Sequence, residues 1–278
     1  MIETIMTRET PLRFVIFAAP RTGSNFLCGL LNSHPDILCH HGLFNPAGIH
    51  YALDHREGDP HLGTVAERDL APEAFLERVW WRHGGKSAVG FKFNLGESQA
   101  AVAAVLRDPG IRKILLARRH RIKTYVSEQI AEQSGQWESY TGTVLTTGSP
   151  IRVDATELFR QVERNRRYYA DLENDLLSSG QTWLNVHYES LDSGAAGGDL
   201  SRILEFLALG LPAGDGSPLT AGSFKRNPDD LRALIANFEE LKSEIAGTEL
   251  ECELDADPSQ PVFSLSEIPN VRSVSHDR

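Results

Sequence analysis

Arg13-Phe14-Val15-Ile16-Phe17-Ala18-Ala19-Pro20-Arg21-Thr22-Gly23-Ser24-Asn25-Phe26-Leu27 is an apolar run that stops at a proline, turns through a short basic loop and resumes with helical periodicity. A buried strand that feeds such a loop and a fresh helix makes a phosphate cradle, because successive loop N–H groups and the helix N-terminus form a concave anion site. Arg21 adds a fixed cation, Thr22 and Ser24 offer hydroxyl donors, and Gly23 lets the backbone come close to a ligand. A nucleoside-triphosphate loop would continue Gly-Lys-Ser/Thr. No such tripeptide follows, so the lysine that grips ATP and the hydroxyl that usually holds Mg²⁺ are missing from the motif. The loop suits an anion other than ATP.

Outward from this stretch, apolar β-branched runs at residues 14–19, 88–93, 111–117 and 182–187 read as buried strands. Helical patterns separate them at 25–32, 72–82, 98–107, 122–133, 156–178, 199–207 and 228–247. Asp108-Pro109-Gly110 ends one helix, Ser179-Gly180 another, and Asn227-Pro228 supplies a cap with proline in the first turn. The alternation predicts an α/β fold with a parallel sheet flanked by helices. We read it as one domain over residues 1–278, with 254–278 a loosely packed C-terminal segment. Residues 40–64, rich in His, Gly, Asp and Pro, read as a long loop over the site, and residues 134–153, rich in Gly, Thr and Ser, as a lid. There is no internal repeat and no low-complexity tract.

The formal charge of −10 over 278 residues argues against a general nucleic-acid binder, which would present a basic face. The basic groups Arg112, Lys113, Arg118, Arg119, Arg121 and Lys123 are nonetheless bunched, while the acidic surplus lies largely between residues 239 and 257. A compact anionic ligand fits that distribution. Cys28, Cys39 and Cys252 have neither CxxC nor metal spacing, so a reducing, cytoplasmic compartment is the expectation. No stretch reaches the length of a membrane span, and the N-terminal residues carry mixed charges in place of a signal-peptide core. We expect no integral membrane association.

The second informative stretch is Ile114-Leu115-Leu116-Ala117-Arg118-Arg119-His120-Arg121-Ile122-Lys123-Thr124-Tyr125-Val126-Ser127, a strand, a basic turn and a helix. Ser127 stands eight residues after Arg119, a spacing that lets an arginine at the strand end and a hydroxyl on the helix close on one phosphate. Taken alone, the first stretch has a bland alternative, a strand-helix turn with a capping serine. The second motif argues against it. For Arg112, Lys113, Arg121 and Lys123 a solvated helix start is the simpler reading.

Together the two motifs resemble the PAPS-dependent sulfotransferases, in particular the bacterial branch similar to trehalose sulfotransferases. His34-Pro35-Asp36, Leu43-Phe44-Asn45-Pro46, Gly90-Phe91-Lys92, the run from Val186 to Leu191 and Lys225-Arg226-Asn227-Pro228 resemble the family's punctuation, so the likeness covers most of the chain. It implies a P-loop-kinase-like fold and transfer of a sulfuryl group from 3′-phosphoadenosine 5′-phosphosulfate (PAPS) to a hydroxyl, or less often an amine. The acceptor would be a small molecule, a sugar or a lipid. By position, Arg21, Thr22, Gly23, Ser24 and Asn25 line the phosphosulfate, and Arg119 and Ser127 bind the 3′-phosphate. Lys225 and Arg226 would add phosphate contacts. No metal is called for, since sulfuryl transfer needs in-line positioning and charge stabilisation more than covalent chemistry. A kinase-like P-loop enzyme and a catalytically weak nucleotide-binding module are the rival readings; a homo-oligomer is left open.

One departure stands out. Relatives of this branch often carry a glutamate just before the Leu-Phe pair, placed to deprotonate the acceptor, and this chain has Gly42 there. His41 is the proposed substitute, an imidazole titrating near neutrality, and together with Arg21 it is the expected catalytic pair. His40 is its control, because extended backbone would turn the two rings to opposite sides. The alternatives are another residue reaching in, an acceptor already nucleophilic, or weak activity. Lys92 is either buried polar satisfaction or an acceptor contact. His34, His40, His41, His50, His55 and His61, with Asp54 and Asp59, match no standard metal spacing and read as a hydrophilic loop. Tyr188-Glu189 reads as a structural hydrogen-bonding corner. Trp80 and Trp81 read as packing residues, and Trp137 as a substrate contact.

Overall fold

The strand at Leu12–Ala18 (β1) lies between two other strands and has helices packed on both of its faces, which explains why its sequence is apolar on both. A computed structural model of the chain describes residues 10–55, 62–137, 149–191, 198–212, 219–221 and 230–254. After β1 come α1 (Ser24–Asn32), β2 (Ile37–His40), α2 (Val65–Leu70), α3 (Pro72–Trp81) and β3 (Ala88–Asn94). Next are α4 (Gln99–Arg107), β4 (Ile111–Ala117), α5 (Arg121–Ser134), α6 (Ala155–Ser178) and β5 (Trp183–His187). Then follow α7 (Asp199–Phe206), α8 (Leu231–Leu234), α9 (Phe238–Glu244) and α10 (Glu251–Leu254). Among the described residues the sheet has five strands in the order β2-β3-β1-β4-β5, every pair parallel. The fold is the expected α/β sheet flanked by helices.

The period-two alternation of β1 divides the core. Phe14, Ile16 and Ala18 pack with Leu27, Cys28, Leu30 and Leu31 of α1 and with Ile203 and Leu204 of α7. Val15 and Phe17 pack on the other face, with Phe75 and Val79 of α3, Val105 of α4 and Leu176 of α6. A third cluster joins Ile122 and Val126 of α5 to Ile151, Val153 and the helices α8 to α10. Because chain excursions leave β1 toward β3 and β2 on one side and toward β4 and β5 on the other, its carboxyl end is a topological switch point. Such a crevice is where open α/β sheets bind ligands.

Three features differ from the sequence reading. The edge strand β2, Ile37-Leu38-Cys39-His40, is not among the four strands read from the sequence, and its last residue falls in the loop expected at 40–64. Residues 43–55, within the loop expected at 40–64, also contribute to packing: Leu43, Phe44 and Ala52 are in the core. The buried guanidinium of Arg68 draws this segment down by donating to the carbonyls of Leu43 at 2.9 Å, Asn45 at 2.8 Å and Gly48 at 3.2 Å. The helix read at 228–247 is broken into α8 and α9. Ile235 pairs with Ile151 in a parallel bridge, and the Asn237 side chain bonds both Val153 N and Val153 O at 2.9 Å, so the backbone there serves a neighbouring segment. Trp80 is buried, whereas Trp81 is exposed. Residues 138–148 of the proposed lid, Lys225, Arg226, His61 and residues 255–278 lie outside the described residues.

Candidate active site

The loop after β1 is held from three directions. Tyr169 of α6 places its hydroxyl between strands, accepting from Ala19 N at 2.9 Å and donating to Leu116 O at 2.6 Å. Thr22 Oγ1 donates to Ala19 O at 2.8 Å, closing the loop on itself. Arg21 adopts φ 62°, a left-handed conformation unusual for a residue with a Cβ, and Gly23, the N-cap of α1, has φ 89°. A side chain at Gly23 would collide with Tyr188, because a Cβ there would lie 2.1 Å from Tyr188 Cδ2. The α1 N-terminus has no side-chain cap among the described residues, leaving the first-turn amides directed at the loop's concavity.

β4 lies beside β1, so its basic turn meets the first loop edge to edge. Arg21 Nε donates to Ser127 Oγ at 2.9 Å, and its Nη1 donates to the Trp137 carbonyl. Arg118 Nη1 reaches the Arg21 carbonyl at 3.3 Å, with its guanidinium over the Tyr188 ring at 4.9 Å. Glu189 accepts from the backbone amides of Arg119 at 3.1 Å and His120 at 3.2 Å, fixing the turn before α5. Arg119 Nη1 donates to Ser190 Oγ at 3.2 Å. The 3₁₀ turn Tyr188–Ser190 after β5 therefore shapes both loops.

On the other side, β2 and β3 bring a second group of polar residues to the same end of the sheet. His41 Nδ1 is 3.3 Å from Asn25 Oδ1. Lys92 Nζ donates to Ser24 Oγ at 3.3 Å from a buried position on β3. His40 turns to the opposite face, where its Nδ1 accepts from Ala52 N at 3.1 Å and its ring meets Tyr51 edge-on. Burial, aided by the nearby charges of His55 and His41, pushes the His40 imidazole down to about 3. It is a neutral structural group. Glu97, in the turn after β3, accepts from Asn94 Nδ2 at 2.8 Å and is pushed above the usual carboxylate range chiefly by burial.

The structure thus brings Arg21, Ser24, Asn25, Ser127, His41 and Lys92 to the carboxyl ends of neighbouring strands. Arg119 and Ser127 sit on the same turn and helix, yet among the described residues no hydrogen bond joins them directly. Each has its own partner, Ser190 for one and Arg21 for the other. The sequence reading missed Tyr169, Arg118, Ser190 and Glu97 as site residues and set Tyr188-Glu189 aside. Only the charge cluster hinted at Arg118; partners brought from 70 to 150 positions away leave no local signature. Among the described residues no group of three or more His, Cys, Asp or Glu side chains converges as a metal site would. No helix among them is long and apolar enough to cross a membrane.

The site is built on a parallel α/β sheet in which a loop and a helix N-terminus follow the first strand and a basic strand-turn-helix lies beside them. No family model matches the chain. It is 32% identical over 139 residues to nodulation protein H of Rhizobium meliloti (strain 1021), covering 48% of this chain and 53% of that protein. Nodulation protein H of Rhizobium tropici is 31% identical over 140 residues, covering 49% of this chain and 53% of its own length. The chain spans about half the length of the curated relatives it matches. A crystal structure of a sulfotransferase from Alicyclobacillus acidocaldarius aligns with a TM-score of 0.43 at 18% identity, over 90% of this chain and 97% of that one.

Proposed function

We propose that the protein is a sulfotransferase that uses PAPS as donor and a hydroxyl of a small molecule, sugar or lipid as acceptor, acting in the cytoplasm. The observation that supports the reading is the contact of Arg21 with Ser127, which holds the loop after β1 against the helix of the second basic motif. Arg21, Thr22, Gly23, Ser24 and Asn25 bind the phosphosulfate in this scheme. Arg119 and Ser127 bind the 3′-phosphate, exchanging their present partners for phosphate oxygens.

As the sulfuryl group leaves, negative charge grows on the 5′-phosphate. Arg21 and the first-turn amides of α1 act there, so they bind the transition state better than the ground state. The acceptor's proton is removed at the corner formed by residues 41 and 42. His41 is a candidate for that step: a proton on Nδ1 directed at Asn25 leaves the lone pair on Nε2. The missing Gly-Lys-Ser/Thr counts against a kinase.

Thermal-shift titration tests the reading with adenosine 3′,5′-bisphosphate, AMP, and ATP with Mg²⁺, followed by transfer assays from PAPS to a panel of hydroxyl acceptors. Stabilisation by the bisphosphate well beyond AMP is the expected result. Equal stabilisation by the two, or a preference for ATP with Mg²⁺, would overturn it.

A further inference from the structure

The structure assigns one more catalytic residue to this site: we infer that Glu97 is the group that takes the acceptor's proton. The inference rests on the sulfotransferase reading above. Its starting point is the bare position 42. A Cβ built on Gly42 would stand 3.4 Å from Glu97 Oε1 and 3.8 Å from Asn94 Nδ2, so the Glu97 carboxyl borders the space that a side chain at 42 would enter. A carboxylate is therefore present at this corner, contributed by the turn after β3.

The state of that carboxyl is unusual for a structural group. Glu97 is only 6% exposed, and Oε2 has no hydrogen-bond partner among the described residues, while Oε1 is held by Asn94. An unsatisfied buried carboxyl oxygen is costly, and a native structure that keeps one calls for a reason. Catalysis supplies one here, because a carboxyl with unused acceptor capacity beside position 42 can take a proton from substrate.

The turn is anchored to the anion loop. Leu95 N donates to Ala18 O at 3.0 Å and Glu97 N to Asn94 O at 3.1 Å, so Glu97 is tied to the end of β1. Lys92 acts electrostatically on Glu97 while its Nζ bonds Ser24 of the loop. Arg68 of α2 also favours the ionised form, and Tyr168 of α6 lies near enough to feel the Glu97 charge. Burial outweighs these cations and raises the carboxyl, which makes the ionised form a stronger base than a solvated glutamate.

The step balances without any further reactant. A lone pair of the acceptor oxygen forms the new O–S bond and the S–O bond to the 5′-phosphate breaks. The bonding pair leaves on the phosphate oxygen, and the acceptor's proton passes to Glu97 through Oε1, the oxygen that borders position 42, from which water later removes it. His41, engaged with Asn25, then serves as a positioning residue for the loop.

The test compares Glu97→Gln, His41→Ala and the unaltered full chain with PAPS and two acceptors, a primary alkyl alcohol and 4-nitrophenol in mildly alkaline buffer, where the latter is already ionised. Loss of the base should lower turnover of Glu97→Gln on the alcohol by roughly 10²–10⁴-fold, against a much smaller loss with the phenolate. An equal loss with both acceptors, or a selective alcohol defect in His41→Ala alone, would overturn the assignment, as would a wild type inactive on both. A second measurement reads without turnover: as pH rises from about 5 to about 8, Glu97→Gln should gain melting temperature relative to wild type, since only the wild type then buries a charge. Parallel melting curves would also overturn it. Adenosine 3′,5′-bisphosphate binding by the wild type is scored separately, so failure of the sulfotransferase reading is distinguishable from failure of the Glu97 assignment.

Discussion

Arg21 Nε and Ser127 Oγ meet at 2.9 Å although 106 positions separate them in the chain. In the proposed scheme this contact would pre-assemble the two anion motifs, with the cation of the first loop resting on the hydroxyl proposed for the 3′-phosphate. If the pair serves a nucleotide with a 3′-phosphate, adenosine 3′,5′-bisphosphate should bind better than AMP by several kcal/mol, charged hydrogen bonds being about 1.5–3 kcal/mol each. Arg119→Ala should erase most of that preference, and Ser127→Ala part of it. Calorimetric titration with both nucleotides gives the answer; a preference untouched by either substitution would remove these residues from the 3′-phosphate site.

On the proposed reading Arg21 should matter more for turnover than for affinity, because its value would grow with the charge on the leaving phosphate. Arg21→Ala is expected to lower kcat about 10²–10³-fold, in line with removal of a single charge-stabilising donor, with a smaller change in nucleotide affinity. The left-handed φ of 62° adds a control. Arg21→Gly loses the same guanidinium yet fits the backbone, so it should be about 1 kcal/mol more stable than Arg21→Ala and equally inactive. Should affinity fall as far as turnover, Arg21 is a binding residue only.

Gly23 and Tyr188 form a steric pair. With a built Cβ only 2.1 Å from the Tyr188 ring and φ at 89°, Gly23→Ala must displace Tyr188 or the loop. We expect a stability loss greater than about 1 kcal/mol, together with weakened bisphosphate binding. Tyr188→Ala in the same chain should relieve the clash but not the backbone strain, giving a coupling of about 0.5–3 kcal/mol in a double-mutant cycle. Additive effects would mean that the ring is not what excludes the side chain.

Much of this architecture was legible in the sequence because it rests on local patterns. The apolar run into Pro20-Arg21-Thr22-Gly23 announces strand, loop and helix within fifteen residues, and β3, β4 and β5 are bounded by turn chemistry. Elements whose identity depends on tertiary partners were not legible. β2 has four residues and forms because β3 offers it an edge, and α8 and α9 are separated by an Asn237 that serves Val153. The same division runs through the site. Arg21 and Ser127 carry motif spacing, but Glu97 lies in an unremarkable turn, and its place beside Gly42 exists only once β2 and β3 pair.

His40 offers a test of the buried rim that involves no ligand. Its imidazole is pushed down to about 3 from an ordinary value of 6.5, mainly by burial, and its Nδ1 can accept from Ala52 N only while neutral. A folded-state value below the unfolded one means that the unfolded chain binds the extra proton first. This contribution to stability is therefore fully present above about pH 6.5 and is lost as pH falls toward about 3. His40→Asn keeps an acceptor for Ala52 N but cannot titrate, so its acid limb should be shallower than that of the wild type, by at most about 1.4 kcal/mol per pH unit. Urea unfolding of both proteins across this range measures the difference. Superimposable acid limbs would show that His40 is protonated in the folded protein or reached by solvent, and the neutral, structural role given to it would have to be withdrawn.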